Sequence, residues 1–115
     1  FRAVRELAYA GRVDDAQSAL DRMAEGETDR VLTYRGFLAR KAGRIEEGMA
    51  YYKAALAKNP DNLLARSYMG QGLVEQGELL MASVQLDEIV ARDGEGSWAE
   101  QSLRTAIDTG STASY

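Results

Sequence analysis

The chain has 115 residues, with 14 Lys and Arg against 18 Asp and Glu, no His, no Cys and a single Pro. The absence of Cys and His excludes disulfide scaffolds, Cys/His zinc sites and catalysis by Cys/His or Ser/His pairs. A hydrophobic content of 45% and a charged content of 28% are typical of one globular domain, and the apolar runs are far shorter than the roughly 18 residues of a membrane span.

The charges are divided unevenly along the chain. Residues 1–58 carry 11 basic and 9 acidic side chains, whereas residues 59–115 carry 3 basic and 9 acidic ones. Exposed charges are screened beyond roughly 8 Å at physiological ionic strength, so this difference acts on a charged partner only at close approach. The acidic balance argues against general binding of nucleic acid.

The first predicted elements are two short helices joined at a glycine. The segment GRVDDA at residues 11–16 lies between two stretches whose apolar residues recur at helical spacing. Glycine suits the joint because a helix often ends in the left-handed conformation, in which a side chain is strained. Asp14 and Asp15 then stand in the first turn of the next helix, where carboxylates meet unpaired amides. The pattern predicts a helix A, a glycine turn and a helix B.

The same pattern recurs twice further along the chain. The segments GRIEEG at residues 43–48 and, more loosely, GELLMA at residues 77–82 follow at spacings of 32 and 34 residues. Pro60 ends the second helix B, and Asp61 or Asn62 is expected to cap the helix A that follows. The positions of the glycines, the proline and the capping residues therefore predict three helix pairs with short loops.

A last helix without a partner is predicted at residues 97–109. Ser97 and Glu100 form the Ser-x-x-Glu pattern of a capping box at its start. Leu103, Ala106 and Ile107 continue the helical spacing. The polar residues 110–115 are expected to form a frayed tail.

The recurring small and apolar positions resemble the tetratricopeptide repeat (TPR), a 34-residue helix-turn-helix pattern. In the second repeat they are Leu32, Arg35, Gly36, Ala39, Gly43, Ile45, Gly48, Tyr52, Ala55 and Pro60. The third repeat follows the pattern through Met69, Gly70, Leu73, Gly77, Ala82, Leu86 and Ile89, and the truncated first repeat through Leu7, Gly11, Ala16 and Leu20. The resemblance is to small bacterial members of this family.

The resemblance implies an all-α fold, a right-handed α-solenoid of antiparallel helix pairs. It implies a single domain over residues 1–109, followed by the tail at residues 110–115. The boundaries of its parts are residues 1–27, 28–61 and 62–96 for the repeats and 97–109 for a capping helix.

Two departures from the family pattern carry expectations of their own. Gly48 stands where the pattern has Ala, and with Gly36 it should let the two helices of the second repeat approach closely. Replacing Gly48 by Ala should then either stabilise the helix or clash, because Gly inside a helix costs about 1 kcal/mol relative to Ala. Leu80 and Met81 replace an acidic pair at outward positions, so something is expected to cover them.

No arrangement of residues typical of an enzyme or a cofactor site is found. Gly70-Gln71-Gly72 lacks the Gly-Lys-Ser/Thr ending and the preceding strand of a phosphate loop. Adjacent acids such as Glu46 and Glu47 diverge on a helix instead of converging in a pocket. Asp93 and Glu95 lack the alternating acids of a calcium loop. We therefore expect no enzyme activity, no cofactor and no metal.

In the TPR family, helix A residues line a concave groove that holds an extended or helical segment of a partner protein. Transferred residue by residue, this implies a groove lined by Arg5, Tyr9, Arg30, Tyr34, Phe37, Arg40, Lys41, Leu64, Tyr68 and Gln71, with Thr33, Ser67 and Val74 beside them. Aromatic residues and arginines are enriched at binding hot spots. The groove is basic at one end, so a protein or peptide with acidic character is the expected partner.

Three alternatives stay open. The aromatic residues could instead pack between repeats, and Leu80, Met81 and Trp98 could mediate self-association into a homo-oligomer. The chain could also be a regulatory part of a larger protein, because its first repeat is truncated. Since it begins with Phe1 instead of Met, a processed or truncated parent is expected. The resemblance leaves both the bacterial periplasm and the cytoplasm as locations.

Overall fold

The computed structural model describes residues 1–112 and confirms the all-α prediction. Its helices are α1 (Arg2–Tyr9), α2 (Val13–Met23), α3 (Asp29–Lys41), α4 (Ile45–Lys58), α5 (Leu63–Glu75), α6 (Leu79–Ala91) and α7 (Trp98–Thr109). The described residues contain no β-strand. Within the same residues, each helix is too short or too polar to cross a membrane.

The chain forms two compact units. The first unit, Phe1–Asn59, contains α1 to α4, and the second unit, Pro60–Tyr115, contains α5 to α7. In the first unit α1 packs on α2, α3 packs on α4, and α2 also contacts α3. In the second unit α5 packs on α6, and α7 packs on both. The single domain and the right-handed solenoid stay predictions.

Glycine turns join the helices of each pair, as the sequence predicts. Gly11, Gly43 and Gly77 have φ angles of 78°, 84° and 79°, a conformation that a side chain would strain. The acidic pairs also lie where they were expected. Asp14 and Asp15 occupy the first turn of α2, and the pair at residues 46–47 occupies the first turn of α4.

Side-chain caps begin α5 and α7. The Oδ1 of Asn62 accepts a hydrogen bond from the Ala65 amide at 2.9 Å, so Asn62 is the cap. The Oγ of Ser97 accepts one from the Glu100 amide at 3.2 Å, and the Glu100 carboxylate accepts the amide of Gly96 at 3.3 Å. The bonds to Asn62 and Ser97 each satisfy an amide that the first turn of a helix leaves without a helical partner, and the bond to Glu100 satisfies an amide just before the cap.

Backbone meets backbone where α3 crosses α4. A Cβ placed on Gly48 would lie 2.9 Å from the carbonyl oxygen of Gly36, and one placed on Gly36 would lie 2.6 Å from Cε1 of Tyr52. Real Cβ atoms essentially never come this close to other atoms, so neither glycine has room for a side chain. The predicted close approach of the two helices is confirmed.

The core of the second unit depends on α7. Leu103 and Ala99 of α7 pack with Ile89 of α6 in one buried cluster, whose partly buried neighbours are Leu63, Leu86 and Ile107. Gly70 of α5 receives Leu103, since a Cβ on Gly70 would lie 2.7 Å from both methyl carbons of that leucine. Removing α7 would therefore expose the apolar side of the α5–α6 pair.

The start of the predicted tail is held against the second unit. Gly110 ends α7 in the left-handed conformation. Thr112 is buried, and its Oγ1 donates a hydrogen bond to Oε2 of Glu75 at 2.7 Å. The expectation of a frayed tail is wrong at Thr112, because a polar side chain can be buried when it finds a hydrogen-bond partner. Residues 113–115 lie outside the described residues.

Candidate protein-binding surfaces

Two helices of the first unit bring aromatic rings together. Phe1, just before α1, stacks on Tyr34 of α3 with ring centroids 4.8 Å apart. At the other end of α1, Tyr9 meets the ring of Phe37 edge-on at 5.8 Å. Residues 1, 5 and 9 recur at one-turn spacing, as do residues 30, 34, 37 and 41, so each helix presents a stripe to the other. The sequence predicted Tyr9, Tyr34 and Phe37 as groove residues, but the part played by Phe1 was missed.

Cations lie over these rings. The guanidinium of Arg30 is 4.7 Å from the centroid of Phe1. Lys41 Nζ is 5.7 Å from the Tyr9 ring and 5.5 Å from the Phe37 ring. Cation–π contacts of this length contribute roughly 0.5–1 kcal/mol at exposed sites. They hold the basic groups close to the aromatic stripe.

Half of the predicted groove residues are buried. Tyr34, Phe37, Arg40, Tyr68 and Gln71 all belong to the interior. The remaining five differ in exposure: Tyr9 and Arg30 are exposed, whereas Arg5, Lys41 and Leu64 are half-buried. The side chains of these five residues pack in the interior, and their role in lining a partner-binding groove stays a prediction. A partner could reach only the other five directly.

We name the accessible part of the aromatic stripe the first-unit surface; it consists of Arg5, Tyr9, Arg30 and Lys41. Tyr9 is 49% exposed. Arg5 and Arg30 form no ion pair with any residue in the described range. The surface therefore combines an exposed aromatic ring with positive charge.

A pocket that sequence reasoning missed lies beside Arg30. It is open, has a volume of about 400 Å³ and is lined by Phe1, Met23, Glu25, Thr28, Asp29, Arg30 and Val31. Met23 is the exposed apolar residue in it. In the sequence, the only indication of this pocket was Met23, an apolar residue at the otherwise polar end of α2.

In the second unit, α7 covers the residues predicted to line the groove. Trp98 meets the buried ring of Tyr68 edge-on at 5.8 Å. Gln71 Nε2 donates to the hydroxyl oxygens of Ser67 at 3.1 Å and Ser102 at 3.2 Å. Its Oε1 is buried without a hydrogen-bond partner among the described residues. Tyr68 and Gln71 thus position α7 instead of facing a ligand.

The outward side of α6 is apolar and exposed. Leu80 is 86% exposed, Met81 55% and Val84 54%, and Leu79 beside them is also exposed. We name these four residues the α6 face. Leu80 and Met81 were predicted to be outward, but Leu79 and Val84 were missed. No residue in the described range covers them, so the expectation that something covers them stays a prediction.

The basic residues of the second unit are all held in ion pairs. Arg92 pairs with Asp61 at 3.0 Å and also with Glu88, and Arg104 pairs with Glu100 at 2.9 Å. The hydrogen bond from Arg92 lowers the pKa of Glu88, and the bond from Arg104 lowers that of Glu100. The unit therefore has no free basic group to offset its excess of acids.

The remaining basic residue, Arg66, is buried at the start of α5. It donates to the carbonyl oxygen of Pro60 at 2.9 Å and to Oε1 of Gln85 at 3.0 Å, and Glu88 lies 3.9 Å away. Burial and the nearby charge of Arg92 lower the pKa of Arg66. This network joins α5 to α6 and has no reactive group exposed to a substrate.

The described residues contain no group of three or more acidic side chains that could hold a metal ion. What they offer chemically is two accessible surfaces of opposite character, one aromatic and basic, the other aliphatic. Comparison with known proteins adds no relative: no family model, no curated protein and no solved structure matches the chain.

Proposed function

We propose that the chain is a TPR-like protein-interaction module that binds an extended or helical segment with acidic character. In this proposal its helix pairs and α7 form a right-handed solenoid. The glycine turns at spacings of 32 and 34 residues and the pairing of the helices support the repeat architecture. The absence of a matching family model leaves the surface chemistry as the main argument for function.

The observation that carries the proposal is the first-unit surface. An exposed tyrosine there lies beside Lys41 Nζ, with Arg5 on the same stripe. A ring of this kind buries area on binding at a small cost in rotamer freedom, and nearby cations favour carboxylates. An acidic segment with an apolar residue at its centre fits both features.

The experiment is a selection of peptides from a display library by the immobilised protein. We expect enrichment of acidic sequences, and loss of that enrichment in the variant with Arg5→Glu and Lys41→Glu. Lys53→Glu is the matched control, since Lys53 is exposed on α4 and not on the stripe. Equal enrichment by the wild type and the double variant would refute the proposal.

The alternative function is a self-associating structural module or a regulatory part of a larger protein. The exposure of Leu80, Met81 and Trp98 supports self-association. Sedimentation velocity distinguishes the two functions, because self-association predicts a dimer that Leu80→Glu converts to a monomer. A monomer at high concentration rejects the alternative.

A further inference from the structure

We propose that the α6 face is a docking surface for a basic amphipathic helix of another protein. The surface belongs to the second unit and is distinct from the first-unit surface. The inference does not depend on the proposed function, because it rests on different residues and on a partner of opposite charge.

The α6 face is apolar where a helix on the outside of a protein is usually polar. Leu80 and Val84 stand one turn apart on α6, and Leu79 and Met81 flank them. Ala82 and Ile89, on another side of the same helix, are buried in the unit. An amphipathic helix needs only one apolar side to pack on its own protein. The second apolar side of α6 is therefore available to a partner.

The shape of the surface suits a helix. Residues one turn apart on α6 form a ridge that packs into the groove between the side chains of a second helix. Ser83, within the same stretch, donates its hydroxyl hydrogen to the carbonyl oxygen of Leu79 at 3.0 Å. Since that donor is already used, the partner is recognised by apolar contact and by charge at the ends of the face.

The charge at both ends of the face is negative. Glu78 precedes the face and Asp87 follows it, and neither forms an ion pair with any residue in the range 1–112. α6 itself has no basic residue, and Arg66, Arg92 and Arg104 are occupied by the acids described above. A partner with Lys or Arg on both sides of its apolar residues complements this rim.

A second copy of the chain fits the α6 face less well. Two α6 faces packed together, whether parallel or antiparallel, place the acidic ends of one face against those of the other. Residues 59–115 of each copy carry 3 basic and 9 acidic side chains, so two such units repel at short range. Charge therefore selects a basic helix as the occupant.

The test uses the full chain and three synthetic helical peptides. The first has leucines at one-turn spacing flanked by lysines, the second replaces the lysines by glutamates, and the third keeps the lysines but scrambles the leucines. Calorimetry should show that the first binds at least about tenfold more tightly than either of the others. Its affinity should fall as salt is added. Amide shift changes should map to α6.

Variants of the surface provide the second readout. Leu80→Ser combined with Val84→Ser should weaken the first peptide about tenfold or more without altering the circular dichroism, because both side chains are more than half exposed. Met23→Ser, at an exposed apolar position in the first unit, is the control and should leave the affinity unchanged. Glu78→Lys with Asp87→Lys should transfer the preference to the glutamate peptide.

Three results would overturn the proposal. Equal affinities for the lysine and glutamate peptides would remove the charge argument. Unchanged binding by the Leu80→Ser, Val84→Ser variant would place the peptide elsewhere. A dimer that this variant converts to a monomer, and that competes with the peptide, would make a second copy the occupant.

Discussion

Some basic residues of the first unit lie over aromatic rings, although others form ion pairs, whereas every basic residue of the second unit is held in an ion pair. In the first unit, Arg30 and Lys41 lie over aromatic rings and stay near the surface. In the second unit, Arg92 and Arg104 are held by carboxylates, and the α6 face carries no aromatic ring. Both units are built from similar helix pairs. The difference shows that two units with similarly packed helices can have different charged and apolar residues on their surfaces.

The units also differ in how they use equivalent glycines. Gly36 and Gly70 stand 34 residues apart, at the same position of the repeat. Gly36 lies against Gly48 and Tyr52 of its own helix pair, whereas Gly70 receives Leu103 from α7. The same repeat position is therefore occupied by glycine in both repeats, although different side chains fill the space beside it.

The largest effect should come from deleting α7, the helix of the second unit that packs on the α5–α6 pair without a helix partner of its own. Deletion of residues 97–115 exposes Ile89 and the Gly70 side of α5 to water. The loss should exceed the roughly 2–5 kcal/mol of a single buried Leu→Ala change. We expect the product to aggregate on size-exclusion chromatography. A product that is soluble and equally stable to heat would show that α7 is dispensable.

The next largest effect compares a tyrosine from each unit. Tyr68→Ala removes a fully buried ring and should lower the free energy of unfolding by about 3–5 kcal/mol. Tyr9→Ala removes a ring that is half exposed and should cost about 1 kcal/mol or less. Urea denaturation measures both. Equal costs would mean that the two rings are not in the different environments described.

A smaller difference is expected between two glycines. Gly48→Ala puts a Cβ 2.9 Å from a backbone oxygen, which cannot move independently, whereas Gly70→Ala meets the methyl groups of Leu103. Overpacking costs about 1–3 kcal/mol, and the higher helix propensity of Ala offsets up to about 1 kcal/mol. Gly48→Ala should therefore lower the melting temperature, and Gly70→Ala should lower it less. A higher melting temperature for Gly48→Ala would contradict the close crossing.

The smallest effect is the pH dependence of the stability that the Glu88–Arg92 ion pair contributes. Arg92 lowers the pKa of Glu88 in the folded chain, so the pair stabilises the fold above the unfolded pKa and the contribution is lost as the pH falls through the folded pKa. Glu88→Gln removes this contribution. The variant should melt below the wild type near pH 7, and the difference should shrink as the pH falls below 4.5, the ordinary value for a glutamate. A difference that is constant with pH would assign the loss to packing.

Helix boundaries could be predicted because they depend on local chemistry. The left-handed glycines and the caps at Asn62 and Ser97 each act within a few residues along the chain, so their effect is visible in the sequence. Thr112 was misjudged since its hydrogen-bond partner, Glu75, is 37 residues away. Contacts of that range depend on tertiary packing.

The candidate surfaces were harder to predict because exposure depends on every neighbour of a helix. Every residue from Ala65 to Val74 in α5 is buried, so Tyr68 and Gln71 face neighbours on all sides. A helix with almost no charged residue along its length is typical of complete burial, and this signal was present in α5. Leu80 and Met81 of the α6 face gave a sequence signal for an exposed apolar surface, because they are apolar at positions where the other repeats have acids.

Trp98 is the only tryptophan of the chain, and it lies in α7 against Tyr68. Its fluorescence therefore reports on the second unit alone, whereas far-ultraviolet circular dichroism averages over the helices of both units. If the two signals change together during denaturation, the units unfold as one cooperative system; if they separate, each unit unfolds by itself. The position of Trp98 thus allows the cooperativity of unfolding between the two units to be measured without an added label.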